Sequence, residues 1–443
     1  MTYQLADHQK RILALMEDRE YLGIFAEAGT GKTMIALTYI YNNIIAGAIT
    51  NALVVCPSSL IPSWRLAIER MREFGYDDFD VEIMKSYIYI TSFRMLWKYP
   101  KKGGATVKVL RETVDMDWDV AFIDESHRLG DPKSIQTKMA LKLALRCKRR
   151  FIMTGTPDNT HYVKLYGQMK FLKPDIWKSY REFDNCYIWS KNVFHKPVRF
   201  DVESLEQLKK TYGTVVRLRE CFDMPDSIDI DVPVDLGAQS VYDDFISNNM
   251  ADYGIVVKVA GMGTMKAVQV CSGFYLDDNH VVTRLKNNKL DAMMTILEGV
   301  EGKVVIFANY RESIDVICEQ LTKSGISHYR YDGTVSEPVW QRFQNDDTKV
   351  IVVQFQRGSE GIDLFASNCT IYYETTLQAC LLEQSKARIM RKGQTRHCRY
   401  FFLYTQGTIE EKMMRSVRKG VDVSRQMLDD WAIEERNKRN TGH

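Results

Sequence analysis

Lys32 and Thr33 close the stretch AEAGTGKT (residues 26–33), which follows the apolar run YLGIFA and leads into MIALTYIYNNII. Glycines at 29 and 31 let a backbone curl around phosphate oxygens. Main-chain amides at a helix N-terminus then face the anion. On this reading the loop Ala28, Gly29, Thr30 and Gly31 holds a nucleoside triphosphate, Lys32 reaches its β and γ phosphates, and the Thr33 hydroxyl ligates magnesium. The first glycine of the general pattern is Ala26 here.

A second set of groups suits the same chemistry. In AFIDESHRL (121–129), Asp124 and Glu125 end an apolar strand, at the edge where open α/β sheets bind ligands. Asp124 would hold the metal and Glu125 would orient the attacking water. An acidic pair after a strand also serves as a helix N-cap, and the phosphate loop upstream favours the catalytic reading. His127 either couples this site to its neighbour or packs. MTGTPDN (153–159) suits a linker through Thr154 and Thr156. In RGSEGIDL (357–364), Ser359 could touch a phosphate and Asp363 could face the nucleotide. In LLEQSKARIMRKGQ (381–394), Gln384, Arg388 and Arg391 are spaced i, i+4, i+7, so on a helix they share one face. Alone, this basic run reads as a nucleic-acid patch. With the loop and carboxylates upstream, the face reads as the far wall of the nucleotide site, which leaves Lys386 and Lys392 for solvent or DNA.

Strands between helices must carry these groups. Short apolar runs recur at 21–26, 51–56, 87–91, 119–124 and 150–155, and again at 303–308, 349–355, 370–374 and 399–404. Continuous apolar strands between helical patterns predict parallel sheets covered on both faces. Two series predict an α/β protein of two lobes: a first ATPase lobe at 1–157, a helical insertion at 158–227, a second lobe at 228–431 and a charged, fraying tail at 432–443. The 443 residues carry 45% hydrophobic and 26% charged side chains and a net charge of +3. The chain as a whole is therefore no polycation, and any nucleic-acid site must come from local clustering. Nine scattered cysteines without a CxxC pair argue against a disulfide framework or structural zinc. The absence of a signal-like start or a long apolar run predicts a cytoplasmic protein with no membrane contact.

The motifs occur in the order of a superfamily-two helicase, and their details resemble its Swi/Snf-like branch. VVCPSSLIPSW, YITSFRML, FLKPDIW, VPVDLGAQSVYDDF, KVVIFANY, RYDGTV and RKGQTRHCRYFFLYTQGTIEEKMM extend the likeness over about residues 1–415. The resemblance implies two RecA-like lobes with ATP and Mg2+ in the interlobe cleft. It makes Gln9 the residue that reads adenine, and Arg388 and Arg391 the arginine fingers. It places Ser58, Ser59, Thr91, Ser92, Thr334 and Ser359 against a nucleic-acid backbone. The family's small residues are replaced by Arg357 and Ser359 in RGSEGIDL. The chain has little room for chromatin-reading appendages, and in this it resembles compact bacteriophage branched-DNA helicases.

The expected activity is ATP-driven translocation on duplex or branched DNA, tracking 3′ to 5′ and driving fork regression or branch migration, by a monomer. An RNA helicase and a nucleotide-binding switch without motor activity are the alternatives. WKYPKKGGATVKVLR (97–111) reads as an exposed hairpin, either a solvated turn or a basic pin whose Lys98, Lys101 and Lys102 grip DNA. Phe183, Tyr187 and Trp189 are expected to pack the insertion rather than to stack on bases.

Overall fold

The computed structural model describes residues 5–440 apart from 72–79, 99–100, 103–104, 107–108, 111, 159–161, 192–196, 248–250, 254, 256–261, 336, 338 and 359–361. The chain divides into two units, Met1–Asp223 and Met224–His443. In the first, six strands form one sheet: β1 (Tyr21–Ala26), β2 (Ala52–Cys56), β3 (Ile88–Ser92), β4 (Trp118–Asp124), β5 (Cys147–Thr154) and β6 (Gly213–Val216). Their order is β6-β1-β5-β4-β2-β3, and every pairing is parallel. Side chains alternate between two cores. Ile24, Val54, Phe122 and Met153 face one, and Phe25, Val55, Ile123 and Ile152 the other. Burial on both faces is why these runs read as continuously apolar. The register sets Phe25 beside Thr154, Asp124 beside Met153, and Val55 beside Ile123. The loops that leave these strands therefore emerge along one edge.

The second unit repeats the plan with β7 (Ser227–Val234), β8 (Val304–Ala308), β9 (His328–Tyr331), β10 (Val350–Gln354), β11 (Cys369–Tyr372) and β12 (Cys398–Thr405). The order is β7-β12-β11-β8-β10-β9, again all parallel. These are the two α/β lobes expected, each a RecA-like sheet between helices.

Three features differ from the sequence reading. The segment read as helical between the lobes also supplies β6, which pairs with β1. Charged residues after 432 do not fray at once: a helix spans Arg425–Asn440, anchored by buried Ala432 and by the Tyr242 hydroxyl donating to Glu435 (3.0 Å). The third is the basic run near 390, whose helix stops at Lys386.

Candidate active site

The loop after β1 leads into α2 (Lys32–Ile45), against which α1 (Asp7–Glu17) and α3 (Ile61–Glu69) pack. Gly29 and Gly31 have φ of 88° and 84°, a left-handed region where a Cβ is disfavoured. Gly31 in that conformation caps α2 and turns the helix N-terminus toward the loop. The Lys32 ammonium donates to the carbonyls of Ala26 (2.7 Å) and Glu27 (3.2 Å). Buried Thr30 donates its hydroxyl to the Glu27 carbonyl (2.8 Å).

Gln9, expected at adenine, has both ends of its amide engaged within the unit. Its oxygen accepts from the Ala6 amide (3.0 Å) and its nitrogen donates to the Thr30 carbonyl (3.1 Å). His8 Nε2 lies 2.9 Å from the same carbonyl, and its ring meets Phe222 edge-on at 5.5 Å. A link invisible in the motif text holds the loop from the other side. Glu27 accepts from the Leu218 amide through its carboxylate (2.8 Å), and its own amide donates to Val216 (3.0 Å).

Asp124 ends β4 with 6% of its surface exposed. Its Oδ1 accepts from the Glu125 amide and its Oδ2 from the Trp64 indole, both at 2.9 Å. Burial, and then the neighbouring Glu125 charge, push its pKa up to about 6 against the opposing pull of Lys32 and of the Trp64 hydrogen bond. Glu125 adopts φ 50°, ψ 49°. It is one of two non-glycine residues with positive φ among the described residues. Such a conformation costs on the order of 1–3 kcal/mol and is characteristic of functional turns. His127 Nδ1 sits 3.2 Å from Glu125 Oε2 and 2.9 Å from the Thr154 hydroxyl. The Thr154 oxygen in turn accepts from the Thr156 amide (3.1 Å). His127 thus couples the two segments and does not merely pack. Gln168, which the motifs do not mark, forms a parallel bridge: it accepts from Ser126 (2.8 Å) and donates to the Pro157 carbonyl (2.6 Å).

The residues expected at a nucleic-acid backbone separate. Ser58 and Ser59 are exposed in the turn after β2, and Thr334 is exposed with its amide and hydroxyl both bonded to Asp332. Thr91 and Ser92 end β3 and are 4% and 5% exposed. Arg94, exposed in the next turn, is the cation that the motif reading passed over. Ser359 lies outside the described residues. Backbone pairing of Lys101 with Thr106 and of Lys98 with Val109 builds the expected hairpin; the side chains of Lys98, Lys101 and Lys102 lie outside what is described. Among the aromatics, Phe183 is buried and Tyr187 packs on Trp177. Trp189, the extra residue of a bulge, keeps 69% of its surface exposed.

In the second unit Arg388 and Arg391 do converge, but a helix face does not bring them together. Beyond Lys386 the chain turns, and both guanidinium groups reach one acceptor, the Ile362 carbonyl (3.2 and 3.3 Å). Arg388 also donates to the Gln384 carbonyl (2.9 Å), and Arg391 pairs with Asp363. Gln384 is buried, 7% exposed. Lys386 is only partly open, with 21% of its side chain exposed: Asp229 holds it at 2.8 Å, over the Tyr400 and Phe402 rings. Arg357 lies over Tyr331 and donates to the Val335 carbonyl (2.8 Å). Its substitution for a small residue therefore ties this loop to the RYDGTV segment. Gln394 fastens the turn by donating to the carbonyls of Phe365, Ser367 and Ile389.

A phosphate loop after the first strand, an acidic pair after a neighbouring strand and a second parallel-sheet unit with paired arginines define a superfamily-two helicase-type ATPase core. The chain belongs to the SNF2 family of that class: the SNF2-related domain matches residues 8–224 and the helicase conserved C-terminal domain residues 286–393. It is 24% identical, over 84% of its length and 39% of theirs, to the SWI/SNF-related matrix-associated actin-dependent regulator of chromatin subfamily A-like protein 1 of Xenopus tropicalis. It is 22% identical to the DNA repair and recombination protein RDH54 of Saccharomyces cerevisiae, over 98% of this chain and 52% of that protein. The DNA repair and recombination protein RAD54-like of Drosophila willistoni is 21% identical over 91% and 60%. The chain thus spans 39 to 60% of the length of these relatives. Among solved structures, the Sulfolobus solfataricus SWI2/SNF2 ATPase core in complex with dsDNA is 20% identical, covers 97% of this chain and 93% of its own, and superposes with a TM-score of 0.43.

Proposed function

We propose that this protein is a nucleic-acid-stimulated ATP hydrolase that translocates on duplex or branched DNA in replication, recombination or repair. The observation that carries the reading is the continuous link Glu125–His127–Thr154–Thr156. It brings the carboxylate suited to activating water within 3.2 Å of a histidine that is hydrogen-bonded to the end of the neighbouring strand, which supports coupling of hydrolysis to movement. Two of the relatives are DNA repair and recombination proteins by name, which favours DNA over RNA.

In this mechanism the loop at 28–31, with Lys32, binds the triphosphate, and Glu125 orients the water. Arg388 and Arg391 supply positive charge to the γ-phosphate as it develops negative charge in the transition state. The donor set fits magnesium: the Thr33 hydroxyl and the Asp124 carboxylate are hard oxygen ligands. Burial, and then the neighbouring Glu125 charge, raise the Asp124 pKa, and a divalent cation held there would offset that charge repulsion. Bound there, the ion would screen phosphate charge. Gln9, which fastens α1 to the loop, is assigned to adenine, and Asp363 and Gln384 of the second unit are assigned to nucleotide binding. Ser58, Ser59, Arg94 and Thr334 suit backbone contacts, which set position without reading sequence. Movement 3′ to 5′, fork regression or branch migration, and action as a monomer in the cytoplasm complete the reading.

The test is ATP hydrolysis by wild type and Lys32→Ala on single-stranded, duplex, forked and four-way DNA and on RNA. Stimulation by DNA, lost in Lys32→Ala, is expected. No stimulation by any polynucleotide would overturn the motor, and stimulation by RNA alone would change its substrate. Equal response to forked and plain duplex would remove the preference for branched DNA.

A further inference from the structure

We propose that Trp64 is a positioning residue for the metal-binding carboxylate, holding Asp124 in one rotamer through its indole N–H. The inference rests on the ATPase reading and concerns a residue that reading does not use. Trp64 lies on α3, 60 positions from Asp124 in sequence, and its Nε1 is 2.9 Å from Asp124 Oδ2. Only 1% of its surface is exposed. A buried indole must place its N–H on an acceptor, and here the acceptor is the carboxylate assigned to the cation.

The residue type matters. An indole N–H donates and cannot accept, so Trp64 can neither ligate the cation itself nor neutralise Asp124. A lysine or arginine in the same place would compete with the metal for the carboxylate charge. The opposite oxygen is already held by the Glu125 amide. Two donors on two oxygens leave the carboxylate no free rotation, while unused lone pairs on both oxygens remain for a ligand. A metal-binding oxygen fixed beforehand does not have to be ordered when the ion arrives.

Its location adds a consequence. The exposed Ser58 and Ser59 stand in the turn that runs directly into α3. A single short segment therefore presents hydroxyls to solvent at one end and grips Asp124 three residues into the helix. Ile68, one turn further along α3 and 3% exposed, packs in the same core without touching the carboxylate through a polar atom.

The experiment compares wild type, Lys32→Ala, Trp64→Phe and Ile68→Ala. It reads thermal unfolding, binding of a fluorescent ATP analogue with Mg2+ and with EDTA, and DNA-stimulated hydrolysis across a Mg2+ titration. Trp64→Phe keeps an aromatic ring and loses the N–H. It should raise the Mg2+ needed for half-maximal binding and hydrolysis about tenfold, the loss of one charge-assisted hydrogen bond. Binding in EDTA should stay at the wild-type level. Ile68→Ala disturbs the same helix and should lower the melting temperature while leaving the Mg2+ dependence unchanged. Wild-type Mg2+ dependence in Trp64→Phe overturns the proposal, as does an equal Mg2+ shift in Ile68→Ala. If wild type itself hydrolyses no ATP with any polynucleotide, the parent reading fails. The clamp is then judged on Mg2+-dependent binding alone.

Discussion

His127 and Thr154 share a 2.9 Å hydrogen bond that joins the turn after β4 to the last residue of β5. Thr154 is fully buried, so its hydroxyl has few other partners to turn to. Thr154→Val keeps the shape and removes the oxygen that both His127 and the Thr156 amide use. ATP binding should persist, because no loop group at 28–33 is touched. The DNA-stimulated part of hydrolysis should fall about tenfold, the order of a typical coupling energy between two sites. Hydrolysis rates with and without DNA, measured beside nucleotide binding, check this. An equal loss in both rates would make the contact purely structural.

Arg391 gives a second prediction. It pairs with Asp363 and shares the Ile362 carbonyl with Arg388. Arg391→Ala should reduce the rate constant for hydrolysis by about 10³ or more, the range of an arginine finger. DNA binding, followed by gel shift or anisotropy, should stay near wild type. Arg391→Lys should rescue little, because an ammonium lacks the planar fork.

The pH response follows from Asp124, whose pKa burial and Glu125 push up to about 6. A raised carboxyl pKa means that the protonated form, which binds no cation, persists to higher pH than usual. Above about pH 6 the Mg2+ requirement should be flat. Below it the requirement should rise about tenfold per pH unit, since proton and cation compete for one group. Mg2+ titrations of hydrolysis between pH 5 and 8 test both limbs; a flat requirement down to pH 5 would refute the assignment.

Stability of the second unit rests partly on an ion pair, Lys289 with Glu410, at 1% and 2% side-chain exposure. Glu410 also accepts from the Thr405 amide (2.9 Å). Lys289→Met strands a buried carboxylate and should cost about 3–5 kcal/mol. Adding Glu410→Gln removes the charge, keeps an acceptor for Thr405 and should recover most of the loss. Denaturant unfolding of the two variants decides it.

The central strands were legible because they are buried on both faces. β1, β2, β4, β8, β10 and β11 read as apolar runs, and the structure places them within a residue or two of the expected bounds. The poorly legible strands are at edges. Gly213–Val216 and His328–Tyr331 show no fully apolar run, whereas Ser227–Val234, within DMPDSIDIDVPVD, reads as the extended entry to the second lobe and is a strand. An edge strand covers only part of its surface, so hydrophobic content does not announce it. The basic segment near 390 shows the converse. Its i, i+4, i+7 spacing suggested a helix face, yet the helix ends at Lys386, and hydrogen bonds to Ile362 gather the arginines instead.

By itself, the sequence determined the chemistry: which loop can cradle phosphate, which carboxylates can serve it, and that two parallel-sheet lobes must present them. Those properties depend on neighbours in the chain and on strand burial, and local text records both. Only the tertiary structure decided the contacts that hold these groups still. Trp64 on Asp124, Leu218 on Glu27, and Asp363 on Arg391 join residues 60, 191 and 28 positions apart. Several of these residues stand in motifs, but no periodicity or spacing records which pairs with which, because that geometry exists only after the sheet has set its strands in register.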